Sequence, residues 1–120
     1  MIHYIKGVFK GAYYSSLGLR YAASQERAFK TELFLSIFII PAAFYFGDGF
    51  LEQSILFMSW FLVPIVELLN SAVETVVDRI GTEYNELSGR AKDLASAGVF
   101  LCVVPFLIIW GMKLFYYFSA

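Results

Sequence analysis

The stretch SILFMSWFLVPIVELLNSAVETVVD, residues 54–78, decides the fold of this chain. Its first half, 54–66, is almost wholly apolar and carries no charge. Its second half keeps the spacing of a helix but also carries carboxylates. A helix needs about 20 residues to cross the hydrocarbon core of a bilayer, and this stretch supplies them. It therefore predicts a membrane-spanning helix with a polar face.

The composition of the 120-residue chain supports a membrane protein. Hydrophobic residues make up 59% and charged residues 16%, against roughly 25% charged in an average soluble domain. A soluble domain of this size buries too little of its surface to hide that much apolar area. Nine Lys and Arg against ten Asp and Glu give a net charge of −1. Because binding to a polyanion needs clustered cations, nucleic acid is excluded as a partner.

Two further segments have the length and composition of spans. Residues 33–47 carry no charge, and residues 94–112 are also uncharged and end in an aromatic cluster suited to the membrane interface. Residues 1–30 differ, because apolar residues recur there at helical spacing beside several lysines and arginines. That pattern predicts an amphipathic helix in the membrane interface; the alternative is a soluble helix packed on a partner.

The predicted fold class is an all-α membrane protein with one domain, residues 1–120. An N-terminal amphipathic surface helix, 1–30, precedes three transmembrane helices. These lie at about 31–48, 53–78 and 92–118, and a cytoplasmic loop covers 79–91. Basic residues concentrate in the N-terminal segment and in this loop, whereas the connection from Asp48 to Gln53 is acidic. The positive-inside rule therefore places the N-terminus in the cytoplasm.

The strongest functional signal is a polar stripe in the second span. At 100° per residue its members share one face of the helix. They are Glu67, Asn70, Ser71, Glu74 and Asp78. Ionisable residues inside a bilayer are costly and indicate function. The alternative is polar contact between helices, which is the favoured interpretation for Asn70 or Ser71 alone.

The spacing of the two glutamates predicts separate roles. Glu67 and Glu74 lie about 10 Å apart along the axis, too far to chelate one metal together. Glu74 and Asp78 lie near the cytoplasmic surface, where cations and nucleotides arrive. Glu67 lies at the depth of a lipid hydroxyl, where a carboxylate suits a general base. The arrangement predicts phosphoryl transfer to a lipid alcohol; the alternative is an ion or proton conductor.

These residues form a motif, E-x-x-N-x-x-x-E-x-x-x-D from Glu67 to Asp78, followed by a loop that ends in Ala91-Lys92-Asp93. Upstream lie Tyr14-Ser15, Gly18-Leu19-Arg20 and Glu26-Arg27-Ala28-Phe29. The sequence resembles the prokaryotic diacylglycerol kinase family over its full length. Members are small kinases of the bacterial cytoplasmic (inner) membrane, homotrimers of three-span subunits whose active sites are shared between subunits.

The resemblance implies roles for individual residues. Glu67 corresponds to the general base, and Glu26 and Glu74 to the Mg²⁺ ligands. The implied nucleotide contacts are Tyr14, Glu26, Glu74, Glu83, Tyr84, Asn85, Lys92 and Asp93. Asn70 and Asp78 support the site. The implied lipid contacts are Ser15, Arg20, Ala28, Phe29, Lys30, Thr31, Glu32, Gln53, Glu67, Ser96 and Trp110.

The activity implied is transfer of the γ-phosphate of MgATP to the hydroxyl of diacylglycerol, which gives phosphatidic acid. The alternative on the same scaffold is phosphorylation of undecaprenol. The sequence of residues 79–84 and 88–90 is more similar to the diacylglycerol branch than to the undecaprenol branch. Three positions depart from the family pattern. The family commonly has Arg at the position of Gly7, Trp at that of Ser16 and His at that of Asn85.

Overall fold

The computed structural model describes residues 1–119, and in that range the chain is four helices. They are α1 (Ile2–Gln25), α2 (Arg27–Phe46), α3 (Gly49–Ile80) and α4 (Glu86–Ser119). Helices α2, α3 and α4 are each long and apolar enough to cross a membrane. The prediction of an N-terminal helix followed by three spans is confirmed, and residues 1–119 contain no strand.

Helix α1 projects away from the bundle of α2, α3 and α4. The backbone of Glu26 is extended, with φ −92° and ψ 112°, and separates α1 from α2. As a result α2 begins at Arg27, upstream of the predicted start at 31. The molecule measures 54 × 45 × 25 Å. Three helices packed side by side, each about 10–12 Å wide, do not fill 45 Å. Helix α1 therefore extends sideways from the end of the bundle where α2 begins.

The connection between α2 and α3 is short and tightly packed. Gln53 Nε2 donates hydrogen bonds to the carbonyl oxygens of Phe44 at 3.1 Å and Gly47 at 3.4 Å. These oxygens lie at the end of α2, where the helix leaves carbonyls without intrahelical partners. A Cβ at Gly47 would lie 2.7 Å from Gln53 Cγ and 2.8 Å from the Ala43 carbonyl oxygen. Only glycine allows α3 to turn back along α2 here.

The connection between α3 and α4 is only 81–85, because both helices extend past their predicted ends. Asn85 Oδ1 accepts hydrogen bonds from the backbone N–H groups of Leu87 at 3.0 Å and Ser88 at 3.2 Å. This is the contact of an N-cap residue. It starts α4 at Glu86, so most of the predicted loop 79–91 is helical.

The packed core lies towards the end of the bundle that holds the α2–α3 turn. Ala43, Leu56 and Trp110 are buried together there, one from each spanning helix. Trp110 Nε1 donates to the Leu56 carbonyl oxygen at 3.2 Å. Nearby, Lys113 Nζ lies 3.3 Å from Asp48 Oδ2 and 2.7 Å from Glu52 Oε1. These contacts tie the ends of α2, α3 and α4 together and leave the polar stripe at the opposite end.

Candidate active site

The polar face of α3 is organised around Asn70. Its Nδ2 donates to Glu67 Oε1 and to Glu74 Oε1, each at 3.4 Å. Glu67 is buried, with 8% of its surface exposed, whereas Glu74 is exposed. One amide thus holds two carboxylates, one helical turn to either side of it. The predicted common face is present, with a buried and an exposed acid in fixed relation.

Glu26 reaches this face from the junction of α1 and α2. Ser71 Oγ donates to Glu26 Oε2 at 3.3 Å, across 45 residues of sequence. Ser71 precedes Glu74 by about one turn of helix. The contact brings the two predicted metal ligands to neighbouring positions, although they come from different elements. The break in the helix at Glu26 is what places its carboxylate against α3.

A groove of about 700 Å³ lies between α1 and α3 beside this contact. Ser15 lines the groove on the α1 side, and Glu26 and Ser71 line it near the junction. Most of the other lining side chains are apolar, including Leu19 and Leu68. The groove is therefore mostly apolar, with polar groups from both helices along it, which suits a lipid with a polar head.

Lys92 lies beside the Asp78 end of the stripe. Its Nζ is 2.8 Å from Asp78 Oδ1, and both side chains are about half exposed. An exposed ion pair of this kind contributes little to stability. It does hold an ammonium group of α4 close to the carboxylates of α3, where it is accessible to an incoming anion.

The connection 81–85 contributes a second, polar cavity of about 360 Å³. Tyr84, Asn85 and Asp93, all predicted nucleotide contacts, line it together with Gly89 and Arg90. Arg90, in the first turns of α4, was not among the predicted site residues. Because Asn85 Oδ1 caps α4, the amide Nδ2 is the group left to donate to a ligand.

Two predicted lipid contacts lie far from the carboxylates. Gln53 precedes Glu67 by about 21 Å along α3, and Trp110 contacts Leu56, about 16 Å from the level of Glu67. The polar atoms of both side chains are bonded to backbone carbonyls. Gln53 lies in the α2–α3 turn and Trp110 in the buried core, so both are remote from the carboxylates of the stripe.

The remaining predicted contacts differ in how the structure places them. Phe29 is buried, and the hydroxyl of Thr31 bonds the carbonyl of Arg27 in its own helix. Glu32 is half-buried beside Glu67, close enough for the two charges to interact. The other members are exposed on the surface of the chain. They are Tyr14, Arg20, Ala28, Lys30, Glu83 and Ser96.

Two buried acceptor atoms near Glu67 have no hydrogen-bond donor among residues 1–119. They are Glu32 Oε2 and Asn70 Oδ1. A buried polar atom left without a partner costs about 1–3 kcal/mol. The site is therefore suited to receive donors from outside the chain, and a substrate hydroxyl is such a donor.

The carboxylates fit a magnesium ion. Mg²⁺ binds oxygen and is commonly held by one or two carboxylates, with phosphates and waters completing its shell. Glu26 and Glu74 provide two carboxylates at one face.

These features define a class of protein: an integral membrane protein with a three-span bundle and an acidic, phosphate-compatible site at one end. The family model described as prokaryotic diacylglycerol kinase matches residues 13–114. The chain belongs to this family, and the resemblance seen in the motif is confirmed.

Several diacylglycerol kinases are similar to this chain over most of their length. The one from Haemophilus influenzae is 53% identical over 105 residues, which are 86% of this chain and 87% of the relative. The one from Escherichia coli K12 is 43% identical over 112 residues, 93% and 92% of the two chains. The one from Helicobacter pylori 26695 is 40% identical over 109 residues, 91% and 85%.

Proposed function

We propose that this protein is a diacylglycerol kinase of the bacterial inner membrane, which transfers the γ-phosphate of ATP to the hydroxyl of diacylglycerol. The observation that carries the proposal is the Asn70 bridge between a buried and an exposed glutamate. It separates a carboxylate at lipid depth from one at the surface, as transfer from a soluble nucleotide to a membrane alcohol requires.

Glu67 acts as the general base. It accepts the proton of the diacylglycerol hydroxyl as the oxygen attacks the γ-phosphorus of ATP. The bond from that phosphorus to the β–γ bridging oxygen breaks, and ADP leaves. The products are phosphatidic acid, ADP and a proton on Glu67, which then passes to solvent. Asn70 orients the carboxylate, and burial excludes competing water from the acceptor.

Glu26 and Glu74 hold Mg²⁺, which neutralises charge on the nucleotide phosphates. Ser71 positions Glu26 for this role through its hydroxyl. The ammonium of Lys92, held by Asp78, is available to the transferred phosphate. Positioning and electrostatic stabilisation supply most of the rate in reactions of this kind.

The nucleotide enters from the cytoplasmic end, where the α3–α4 connection lies. Tyr14 is exposed on α1, and Glu83 is exposed in the connection 81–85. Tyr84, Asn85 and Asp93 line the polar cavity. The N-terminus is cytoplasmic in this orientation, which agrees with the excess of Lys and Arg in 1–30 and 79–92.

The chain functions as a homotrimer. Helix α4 is the most apolar span, yet only 6% of its apolar window is buried within one chain. The unpartnered acceptors on Glu32 and Asn70 lie beside Glu67. Contact with neighbouring copies covers part of α4 and encloses the site. Native mass spectrometry from detergent is expected to show three copies; a monomer with full activity would contradict this.

The test of function is transfer of labelled γ-phosphate from MgATP in mixed micelles that contain diacylglycerol or undecaprenol. We expect labelled phosphatidic acid. A strong preference for undecaprenol would identify the protein as an undecaprenol kinase with the same fold. The names of its relatives favour diacylglycerol. If neither lipid is labelled and the protein carries ions through liposomes, the kinase hypothesis is wrong and the alternative of an ion conductor is favoured.

A further inference from the structure

The N-terminal half of α1 carries positive charge that no carboxylate of residues 1–119 compensates. Residues 1–25 contain Lys6, Lys10 and Arg20 but no Asp or Glu. The first turn of α1 has no acidic residue and its N-cap makes no side-chain bond. Among residues 1–119, ion pairs with carboxylates involve other cations and neither of these lysines. Both lysines are exposed and therefore available to an anion from outside the described residues.

Lys6 and Lys10 are also an unfavourable pair in an isolated helix. They lie four residues apart, and like charges at this spacing repel across one turn. This repulsion is offset when an anion lies between the two ammonium groups.

The side chains around this pair form a shallow depression that is largely open to the outside. Lys6, Phe9, Lys10 and Tyr13 line it, with a volume of about 330 Å³, on an exposed side of α1. Phe9 and Tyr13 belong to the apolar face of the helix, and the two lysines follow its border. An amphipathic helix in a membrane places this border at the level of lipid headgroups. The aromatic rings reach the acyl region while the ammonium groups stay among the phosphates.

We infer that Lys6, Phe9, Lys10 and Tyr13 form a docking site for the headgroups of anionic phospholipids. The occupant is a membrane lipid and not a soluble phosphate, because half of the lining is apolar and aromatic. Binding there fixes α1 against the bilayer surface. The inference concerns the membrane contact of α1 and does not depend on which lipid the enzyme phosphorylates.

The test is hydrogen–deuterium exchange of α1 in the full-length protein. The chain is placed in nanodiscs of phosphatidylcholine, or of phosphatidylcholine mixed with phosphatidylglycerol. We expect slower exchange in 2–14 with the anionic lipid, and a smaller difference at high salt because salt screens surface charges. Equal exchange in the two lipids would overturn the inference.

Variants assign the effect to the lysines. Lys6→Gln and Lys10→Gln should each reduce the lipid-dependent protection roughly fivefold, since one basic residue near an anionic surface contributes about that factor. Lys→Arg at the same positions should restore it, which separates charge from helix formation. Arg79→Gln, which removes a cation elsewhere in the chain, should have no effect on α1.

Two results would contradict the proposal. One is an equal loss of protection in Arg79→Gln, which would indicate a general effect of net charge. The other is full protection of α1 by inorganic phosphate in phosphatidylcholine discs, which would identify a site for a soluble anion. The phosphorylation assay is measured separately on the same samples, so a failed docking site and a failed kinase are distinguished.

Discussion

At the scale of single residues, the function depends on the contrast between two glutamates on one helix. Glu67 is buried and Glu74 is exposed, and Asn70 bonds to both. A carboxylate in a membrane interior is costly, and such a residue persists when the chemistry needs it. In the proposed mechanism, this contrast gives proton transfer to Glu67 and contact with the metal–nucleotide complex to Glu74.

Replacing Glu67 by Gln should abolish phosphate transfer and leave MgATP binding intact. The amide keeps the shape and the bond to Asn70 but cannot accept the proton, and general bases contribute about 10²–10⁴ in rate. The measurements are labelled phosphate transfer and titration with MgATP. Glu52→Gln, the same change at the other end of α3, should retain transfer. A parallel loss of nucleotide binding in Glu67→Gln would contradict the base assignment.

Replacing Ser71 by Ala should weaken the binding of MgATP more than it slows turnover. The change removes the hydroxyl that holds Glu26 against α3, and a hydrogen bond to a charged group contributes about 1.5–3 kcal/mol. We expect KM for MgATP to rise about tenfold with a smaller change in kcat. Ser24→Ala is the matched control, because that hydroxyl bonds only carbonyls of its own helix. An unchanged KM for MgATP would contradict the assignment of Glu26 to the metal site.

The residues of the site differ in how far the sequence could predict them. The face shared by Glu67, Asn70 and Glu74 follows from helical spacing alone. The contact of Ser71 with Glu26 does not, because it depends on where two helices cross. The capping role of Asn85 was also missed, since a capping residue and a solvated loop residue look alike until the helix start is known.

At the scale of elements, the turns fix how the helices are arranged. Periodicity and hydropathy predict three spans, because a bilayer imposes both length and composition. They do not predict where α1 ends, since the break at Glu26 has no proline or glycine to mark it. Periodicity and hydropathy also predict α3 and α4 to be shorter than they are, because both helices continue beyond their apolar parts.

Gly47→Ala should destabilise the protein by about 1–3 kcal/mol, the usual cost of overpacking. The added Cβ would meet backbone atoms of Ala43 and Gln53 at 2.8 Å, and these cannot move aside easily. The measurement is thermal unfolding in detergent. Gly11→Ala, in open space on α1, should be neutral or stabilising by up to about 1 kcal/mol. Equal effects of the two substitutions would contradict the packing described for the turn.

At the scale of the whole molecule, the two ends of the bundle are built differently. The end with the α2–α3 turn is closed by Trp110, Gln53 and the ion pairs of Lys113. The other end holds the carboxylates, the groove and a helix that projects sideways. Rigid packing at one end leaves the movements needed for binding and release to the other.

Lys113→Met should lower the melting temperature and leave the KM for MgATP unchanged. The substitution removes the contacts with Asp48 and Glu52, and the lysine side chain is only 17% exposed. Unfolding followed in detergent, with kinetics on the same sample, checks both parts. Arg79→Met is the comparison, as a cation outside this cluster. A change in KM would show that the two ends of the bundle are coupled.

The cluster of Lys113 with Asp48 and Glu52 also has a consequence for biosynthesis. Lys113 lies 65 residues after Asp48 in the chain, so the acidic turn is synthesised long before its counter-ion. In the proposed orientation, the α2–α3 hairpin carries two carboxylates through the bilayer without compensation. Only the arrival of α4 neutralises them. Helix α4, which leaves the ribosome after α2 and α3, would therefore stabilise their hairpin, and a chain truncated before Lys113 is expected to be a substrate for membrane quality-control proteases.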